Sequence, residues 1–182
     1  MDKQKALDKI AKQIESCEIC QQKKSGKAVP GEGNPDADIV FMGEAPGKTE
    51  AQTGRPFVGR SGKLLRSLIT QAGLKEEDVF ITSPVKYLPD RGTPTSQDIK
   101  HGRIHLKKQL EIIRPKVVVL LGRVAAEGAL EKKVAVMKDH GKVIEVKDSV
   151  KYFLTLHPAV VLRFQKNKQL LLDDFITLKS LL

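Results

Sequence analysis

The sequence predicts an α/β fold in which helices cover both faces of a central, mainly parallel sheet of four strands, giving three layers. Two observations carry this prediction. Four short apolar runs have the length and composition of buried strands, and segments with helical periodicity lie between them. The chain has 182 residues, enough for one well-filled core but few for two, so we expect a single domain over residues 1–182.

The N-terminal part of the chain is expected to be a helix followed by a loop. Leu7, Ile10 and Ile14 recur at helical spacing, which predicts a helix over residues 3–16. Residues 24–36 hold three glycines and two prolines. This composition disfavours regular structure and predicts a loop.

The rest of the chain alternates between strand and helix patterns. Apolar runs predict strands at 38–43, 78–83, 116–122 and 151–156, and an added strand at 142–146 is left as an open alternative. Helical periodicity predicts helices at 61–73, 97–113, 123–130 and 167–181. In folds of this kind ligands bind at the carboxyl ends of the strands, so the loops that follow the strands are the candidate site.

The composition indicates a basic protein without a membrane-spanning segment. Lys and Arg total 32 against 22 Asp and Glu, and the formal net charge of +10 suits a polyanion such as nucleic acid. Lysine-rich, solvated helix faces would give the same composition, so charge alone leaves both interpretations open. No run approaches the roughly 18 apolar residues that cross a bilayer, and the charged N-terminal segment lacks an apolar signal core. We expect a cytoplasmic protein with no membrane partner, and we expect a monomer.

The loop after the first predicted strand carries five glycines within residues 43–62. Glycines allow a ligand to approach the backbone closely, and Ser61 has a side chain of the kind that caps helices. The spacing of the glycines fits neither the Walker pattern nor the dinucleotide fingerprint, which argues against a phosphate loop.

The stretch GEAPGKTEAQTGRPFVGRSGKLL, residues 43–65, closely resembles the first active-site motif of the family 4, or thermophile-type, uracil-DNA glycosylases. The resemblance continues through GEGNPDADIVFMG, ITSPVK, VVVLLGRVAAE and LHPAVVLR, and it covers nearly the whole chain. It implies an enzyme of base excision repair that flips uracil, or another deaminated base, out of single- or double-stranded DNA and hydrolyses its bond to the sugar. The motifs contain no lysine matching a lyase, so the implied enzyme is monofunctional and leaves an abasic site.

The resemblance also implies roles for individual residues. Glu44 matches the position that holds the attacking water, and His157 matches the position that hydrogen-bonds the uracil oxygen as it gains charge. Phe57 matches the aromatic platform on which the base stacks. Further base-binding positions are Gly43, Ala45, Gly47 and Ser83. Contacts with DNA are assigned to Arg55, Arg60, Val161, Leu162 and Arg163, the last three in a loop that wedges into the gap left by the flipped base.

The sequence departs from the family at the base-reading position, where Ser83 replaces the usual asparagine. An amide side chain both accepts and donates hydrogen bonds, whereas a hydroxyl has a single hydrogen to donate. Two alternatives to uracil excision follow. One is a glycosylase that prefers hypoxanthine or xanthine, and the other is a damage-binding protein that recognises lesions without turning them over.

A second departure concerns metal binding. The family holds a four-iron four-sulfur cluster on four cysteines, and here Cys17 and Cys20 match one pair while the other positions fall at Tyr87 and His101. The first interpretation is a cluster with atypical ligands, with His105 as an alternative ligand. The second is a tetrahedral zinc site, because His101 and His105 lie four residues apart on one face of a predicted helix. The third is that no metal binds.

Overall fold

The computed structural model describes residues 2–181. Its strands are β1 (Lys24–Ser25), β2 (Glu32–Gly33), β3 (Ile39–Met42), β4 (Val79–Thr82), β5 (Leu88–Pro89), β6 (Val117–Leu121), β7 (Lys142–Lys147) and β8 (Val150–Thr155). Six of them form the central sheet in the order β2, β4, β3, β6, β8, β7. The four inner strands are parallel, and β2 and β7 pair antiparallel at the two edges. β1 and β5 form a separate antiparallel pair.

Helices occupy most of the chain between the strands. They are α1 (Lys3–Glu15), α2 (Glu18–Gln21), α3 (Lys48–Thr53), α4 (Arg60–Gln71), α5 (Ser96–Ile113), α6 (Arg123–Leu130), α7 (Val136–Asp139), α8 (Pro158–Arg163) and α9 (Lys168–Lys179). The longest of them, α5, begins with a capping box in which Thr95 and Asp98 bond each other's backbone N–H groups. Among the helices of residues 2–181, none combines the length and the apolar composition needed to cross a bilayer.

Side chains that alternate along the strands build a hydrophobic core on each face of the sheet. Along β3, Ile39 and Phe41 join one core while Val40 and Met42 join the other. The first core is covered by α4 and α9, and the Phe41 ring stacks on the Phe175 ring with 6.0 Å between centroids. The second core is covered by α1, α5 and α6. The sheet is therefore buried on both faces, as the predicted αβα layering requires.

The structure confirms the α/β class and the four parallel strands, and the added strand is present as β7. The helices expected at 3–16, 61–73, 97–113, 123–130 and 167–181 correspond to α1, α4, α5, α6 and α9.

The prediction of a loop over residues 24–36 was wrong in part, because this segment contains β1 and β2. The two glycines beside and within β2, Gly31 and Gly33, have φ values of 122° and 133°, which other residues rarely adopt. A side chain at Gly33 would collide with the carbonyl of Val79, so glycine lets this segment pair closely with β4. The glycines that indicated a loop therefore allow an edge strand.

Ser61 does not cap a helix. The helix α4 begins one residue earlier, and Gly59 is its N-cap residue, with no side chain to offer. Instead, the carboxylate of Glu50 in α3 accepts hydrogen bonds from the backbone N–H groups of Val58 and Gly59. A carboxylate at this position satisfies unpaired donors at the helix N-terminus and suits the helix dipole.

Candidate active site and metal centre

A cavity of about 610 Å³ opens where β3, β4 and β8 end. These strands are parallel, so their carboxyl ends lie along one edge of the sheet, with β6 between β3 and β8. The loops that follow them supply the wall, which includes Ala45, Gly47, Glu50, Phe57, Ser83 and His157, and Arg60, Leu162 and Arg163 also line the cavity. The structure thus brings most of the predicted site residues together.

Phe57 is held in an unusual backbone conformation, with φ of 51°. Its ring lies over Gly43, where an added Cβ would come within 2.5 Å of the ring edge. Gly62 of α4 packs directly against the Phe57 carbonyl, and the Arg66 guanidinium donates a hydrogen bond of 3.1 Å to the same oxygen. Glycines at 43 and 62 are therefore required for the ring to reach the cavity. The ring centroid lies 5.8 Å from that of His157.

His157 has one defined hydrogen bond, and that bond fixes which nitrogen carries the proton. It is the N-cap residue of α8, and its Nδ1 accepts the backbone N–H of Ala159 at 3.1 Å. Because a backbone N–H can only donate, Nδ1 is unprotonated and the proton of the neutral ring lies on Nε2. Burial lowers the pKa of His157 to about 4. The ring is therefore a neutral donor at neutral pH.

A buried network holds the strand that leads to His157. Thr155 donates to the Asp174 carboxylate at 2.6 Å, and His140 Nδ1 lies 2.9 Å from the other oxygen of the same group. Gly141 lies so close to Asp174 that a Cβ there would be 2.6 Å from the carboxylate. The network joins α9 to the end of β8, two residues before His157.

Ser83 lines the cavity, but its hydrogen is already used. The hydroxyl is buried, and Oγ donates to the backbone carbonyl of Val85 at 2.7 Å. With its hydrogen engaged, the oxygen can offer only lone pairs to a ligand. Ser83 is therefore placed to accept a hydrogen bond from a ligand in the cavity.

The carboxylate beside the cavity is Glu50, which the sequence did not single out. The described residues that line the cavity from this part of the chain are Ala45, Pro46, Gly47, Thr49 and Glu50, and Glu44 is not among them. Burial raises the pKa of Glu44, and the charge of Arg123 opposes that rise. The role of Glu44 in holding water stays a prediction. The sequence feature that could have indicated Glu50 is its position as an acidic residue within the glycine-rich loop, between Gly47 and Gly59.

The wedge loop is a helix, and this corrects one predicted contact. Val161 is 2 % exposed and packs in the core beside α4, so it is not available to DNA. Leu162 faces outward, and the next apolar residue, Phe164, is half exposed with the Arg163 guanidinium 5.6 Å from its ring centroid. The apolar side chains at this rim are therefore Leu162 and Phe164, and sequence reasoning missed Phe164.

The two other arginines expected to contact DNA differ in their surroundings. Arg55 forms a two-point ion pair with Glu32, with bonds of 2.8 and 3.0 Å. Arg66 bonds the same carboxylate at 2.8 Å. Arg60 is exposed at the start of α4 and lines the cavity. The charge of Arg55 is therefore offset by Glu32, whereas Arg60 faces the cavity.

A second cluster of reactive side chains lies away from the cavity, between α2 and α5. The ligand atoms of Cys17, Cys20, His101 and His105 all lie within 4.8 Å of one another, a group that could hold a metal ion. Cys17 Sγ is 3.2 Å from His101 Nε2. Burial, with Lys86 nearby, lowers the pKa of His105 to about 4, so its ring is the neutral form that binds metals.

The prediction of Tyr87 as a ligand is corrected by its contacts. Its hydroxyl lies 3.4 Å from the Ile14 carbonyl and 3.3 Å from the Glu15 carbonyl at the end of α1. The group therefore bonds the helix end, and its ring packs against Cys20. His105, the alternative ligand in the sequence prediction, is the fourth member of the group of Cys and His side chains.

The fold and the cavity define a parallel α/β protein with a binding site at the carboxyl ends of its strands. The family model described as the Uracil DNA glycosylase superfamily matches residues 30–177. Three relatives are each described as a Type-4 uracil-DNA glycosylase. The one from Archaeoglobus fulgidus is 42% identical over 166 residues, which cover 86% of this chain and 83% of that protein. The one from Thermotoga maritima is 37% identical over 183 residues, 98% of this chain and 95% of that protein. The one from Saccharolobus solfataricus is 39% identical over 186 residues, 97% of this chain and 86% of that protein.

This chain belongs to the uracil DNA glycosylase superfamily. The resemblance that the motifs indicated is thereby confirmed. The matches to Type-4 proteins extend over most of the chain, and the one from Thermotoga maritima covers nearly all of it.

Proposed function

We propose that this protein is a monofunctional uracil-DNA glycosylase that removes uracil from DNA inside the cell and leaves an abasic site in base excision repair. One observation carries the proposal: an aromatic ring, Phe57, and a neutral hydrogen-bond donor, His157, face one cavity at the strand ends. A flipped base needs both a stacking surface and a polar contact at its edge. The Type-4 relatives support uracil as the base.

The reaction adds water across the N-glycosidic bond. The bond between the sugar C1′ and the base nitrogen breaks, a hydroxyl from water bonds to C1′, and the base leaves with the remaining proton. Negative charge gathers on the departing uracil as the bond stretches, and fixed donors that face that charge lower the barrier. His157 supplies such a donor through Nε2–H, because Nδ1 is already bonded to Ala159.

The cationic sugar needs a partner of the opposite charge, and the attacking water needs a group that holds it in position. The resemblance assigns this role to Glu44, and Glu50 is a second carboxylate beside the cavity. One oxygen of Glu50 accepts the N–H groups of Val58 and Gly59, at 2.9 and 2.8 Å, and so fixes the turn that carries Phe57. No step of this mechanism involves the Cys and His cluster, which lies between α2 and α5.

DNA is expected to approach the rim of the same cavity, as a single or a double strand. The rim carries Arg60 and Arg163 with the exposed Leu162 and the neighbouring Phe164. Arginine contacts phosphates, and an apolar side chain fills the space that a flipped base leaves in the stack. The net charge of +10 on the chain favours the same partner. We propose that one chain, folded as one domain, suffices for binding.

A second candidate substrate follows from Ser83. Its hydroxyl donates to Val85 and can only accept from a base. Both uracil and hypoxanthine present a ring N–H to such an acceptor, so Ser83 by itself does not distinguish them. Hypoxanthine and xanthine are therefore the bases to test beside uracil.

The proposal is tested by incubating the full chain with DNA that holds a single uracil and measuring free uracil and alkali-labile sites. We expect both products from the wild-type protein. The substitution His157→Ala should lower the rate by about 10²- to 10³-fold, because it removes one donor to the developing negative charge.

The control is Ile176→Ala, in a side chain that is exposed on α9 and does not line the cavity. It should leave the rate near the wild-type value. DNA that is bound but releases no uracil, hypoxanthine or xanthine would favour the damage-binding alternative. An unchanged rate for His157→Ala would place the chemistry elsewhere.

A further inference from the structure

The cluster of Cys17, Cys20, His101 and His105 has a tighter geometry than an iron-sulfur cluster requires. All four ligand atoms lie within 4.8 Å of one another. A single tetrahedral zinc ion, with bonds of about 2.3 Å to sulfur and 2.0 Å to nitrogen, places its ligand atoms about 3.3 to 3.8 Å apart. The 3.2 Å between Cys17 Sγ and His101 Nε2 is close to that range.

A four-iron cluster does not fit these residues. Each of its four ligands binds a different iron at a different corner of a cube, so the ligand atoms lie much further apart than those around one ion. The chain has two cysteines, whereas such clusters are held by four thiolates.

The surroundings of His105 point independently to a ligand. The residue is 6 % exposed, and neither ring nitrogen has a hydrogen-bond partner among the described residues. Buried polar atoms are nearly always bonded, and an orphaned one calls for an explanation such as an ion. A metal bond to one of the two nitrogens would supply the missing partner.

We propose that Cys17, Cys20, His101 and His105 bind one zinc ion in a closed tetrahedral site. Two thiolates and two imidazoles are a common donor set for structural zinc. All four positions are taken by protein, so the ion offers no place to a substrate or to a reacting water. The site is structural, and the ion takes no part in the proposed reaction.

The ion would link the N-terminal part of the chain to the helix that packs beside the cavity. Cys17 and Cys20 belong to the turn between α1 and α2 and to α2 itself, while His101 and His105 belong to α5. Between the two histidines, Gly102 packs directly on the carbonyl of Pro84, the residue after Ser83. Zinc binding would therefore hold α5 against the loop that carries the base-reading position.

The test is the metal content of the purified full chain, produced in medium that supplies both iron and zinc. We expect about one zinc per chain, no acid-labile sulfide and a colourless protein. Replacement of zinc by cobalt should give the visible absorption of tetrahedral Co²⁺ with thiolate ligands. Chelation of the metal should lower Tm, because a ligand that binds the folded state stabilises it.

The variants Cys20→Ser and His105→Asn should lose the zinc, and the control His140→Asn should keep it. The wild-type measurement stands even if a variant fails to fold. Iron and sulfide at about four each per chain, or a folded protein with no metal, would overturn the proposal. A protein that releases no uracil but contains one zinc ion per chain would contradict the proposed glycosylase activity and leave the zinc proposal intact. The failures of the two proposals can therefore be distinguished.

Discussion

At the scale of single residues, Ser83 shows how one hydrogen bond limits what a side chain can recognise. Its hydroxyl could in principle donate or accept, but the 2.7 Å bond to the Val85 carbonyl engages the hydrogen. A base in the cavity then meets an acceptor at this position, whereas asparagine would also present a donor. The identity of the residue was readable from the sequence, and the bond that occupies its hydrogen was not.

The substitution Ser83→Asn should therefore raise the excision of uracil, because the amide can also donate to the carbonyl oxygen beside the ring N–H of the base. One added hydrogen bond in the transition state contributes about 1 kcal/mol, which corresponds to roughly fivefold or more in kcat/KM. The measurement is kcat/KM on DNA with a single uracil or a single hypoxanthine. Ser83→Ala is the control, since it removes the acceptor and should slow excision of both. Equal kcat/KM values for wild type and Ser83→Asn on both bases would show that this position does not select the base.

Residue roles taken from the resemblance depend on where the backbone places each side chain. Val161 was expected at the DNA surface, but helix α8 turns it into the core and leaves Leu162 outside. The sequence carried a sign of this helix, because Pro158 stands at its first position, where proline is favoured. The role of Glu50 could not be predicted from the sequence. The residue accepts hydrogen bonds from the turn before α4, and this depends on how α3 packs against that turn.

At the scale of elements, α8 links the fold to the chemistry. His157 begins the helix by accepting the Ala159 N–H, and the same bond leaves Nε2 as the donor. Protonation of Nδ1 would break this bond, so the cap and the proposed catalytic form of the ring depend on the same neutral state. Burial keeps that state favoured by lowering the pKa of His157 to about 4.

The free energy of unfolding should decrease on acidification because the pKa of His157 is lowered in the folded protein. The pKa of histidine is ordinarily 6.5, whereas that of His157 in the folded protein is about 4, so between these values the unfolded chain binds a proton that the folded chain lacks. The free energy of unfolding should drop by about 3 kcal/mol from this residue as pH falls through that window.

The measurement compares urea unfolding of wild type and His157→Asn at about pH 7 and about pH 4.5. Asparagine is also a good N-cap residue, so the variant keeps the helix start and loses the titrating group. Its free energy of unfolding should depend less on pH than that of wild type. Parallel pH dependence in the two proteins would show that His157 is not held neutral by the fold.

The long elements could be predicted from the sequence and the short ones could not. Buried strands such as β3 and β6 are continuous apolar runs, and α1 and α5 show clear periodicity. The strand β2 has two residues and is made possible by close approach to β4, which is a tertiary effect. The helix α3 is short and lies between two glycines, Gly47 and Gly54. Because glycines are typical of loops, the sequence indicated a loop over this segment.

At the scale of the whole molecule, the parallel sheet is what assembles the site. Phe57, Ser83 and His157 lie far apart in the chain and meet because β3, β4 and β8 end at one edge of the sheet. Gly122 has φ of 86°, and a Cβ added there would lie 3.3 Å from His157 Cβ, so glycine lets the loop after β6 pass close to the histidine. Strand alternation predicted the edge where the site forms, but the contacts across it required the folded structure.

The loop after β4 lies next to both the cavity and the helix that carries the two histidines of the Cys and His cluster. The segment after β4 carries Ser83 toward the cavity and Pro84 against α5. The helix α5 in turn carries both histidines of the proposed zinc site. The proposed zinc site and the proposed base-binding cavity are thus joined through a single short segment of backbone.

The central claim is that the cavity between Phe57 and His157 receives a base flipped out of DNA. The most direct measurement is a crystal structure of the protein with DNA containing 2′-fluoro-2′-deoxyuridine, whose glycosidic bond resists cleavage. We predict that the uracil ring lies against Phe57, with one of its oxygens within hydrogen-bond distance of His157 Nε2. A uracil that stays stacked in the DNA, or that binds elsewhere on the protein, would contradict the account.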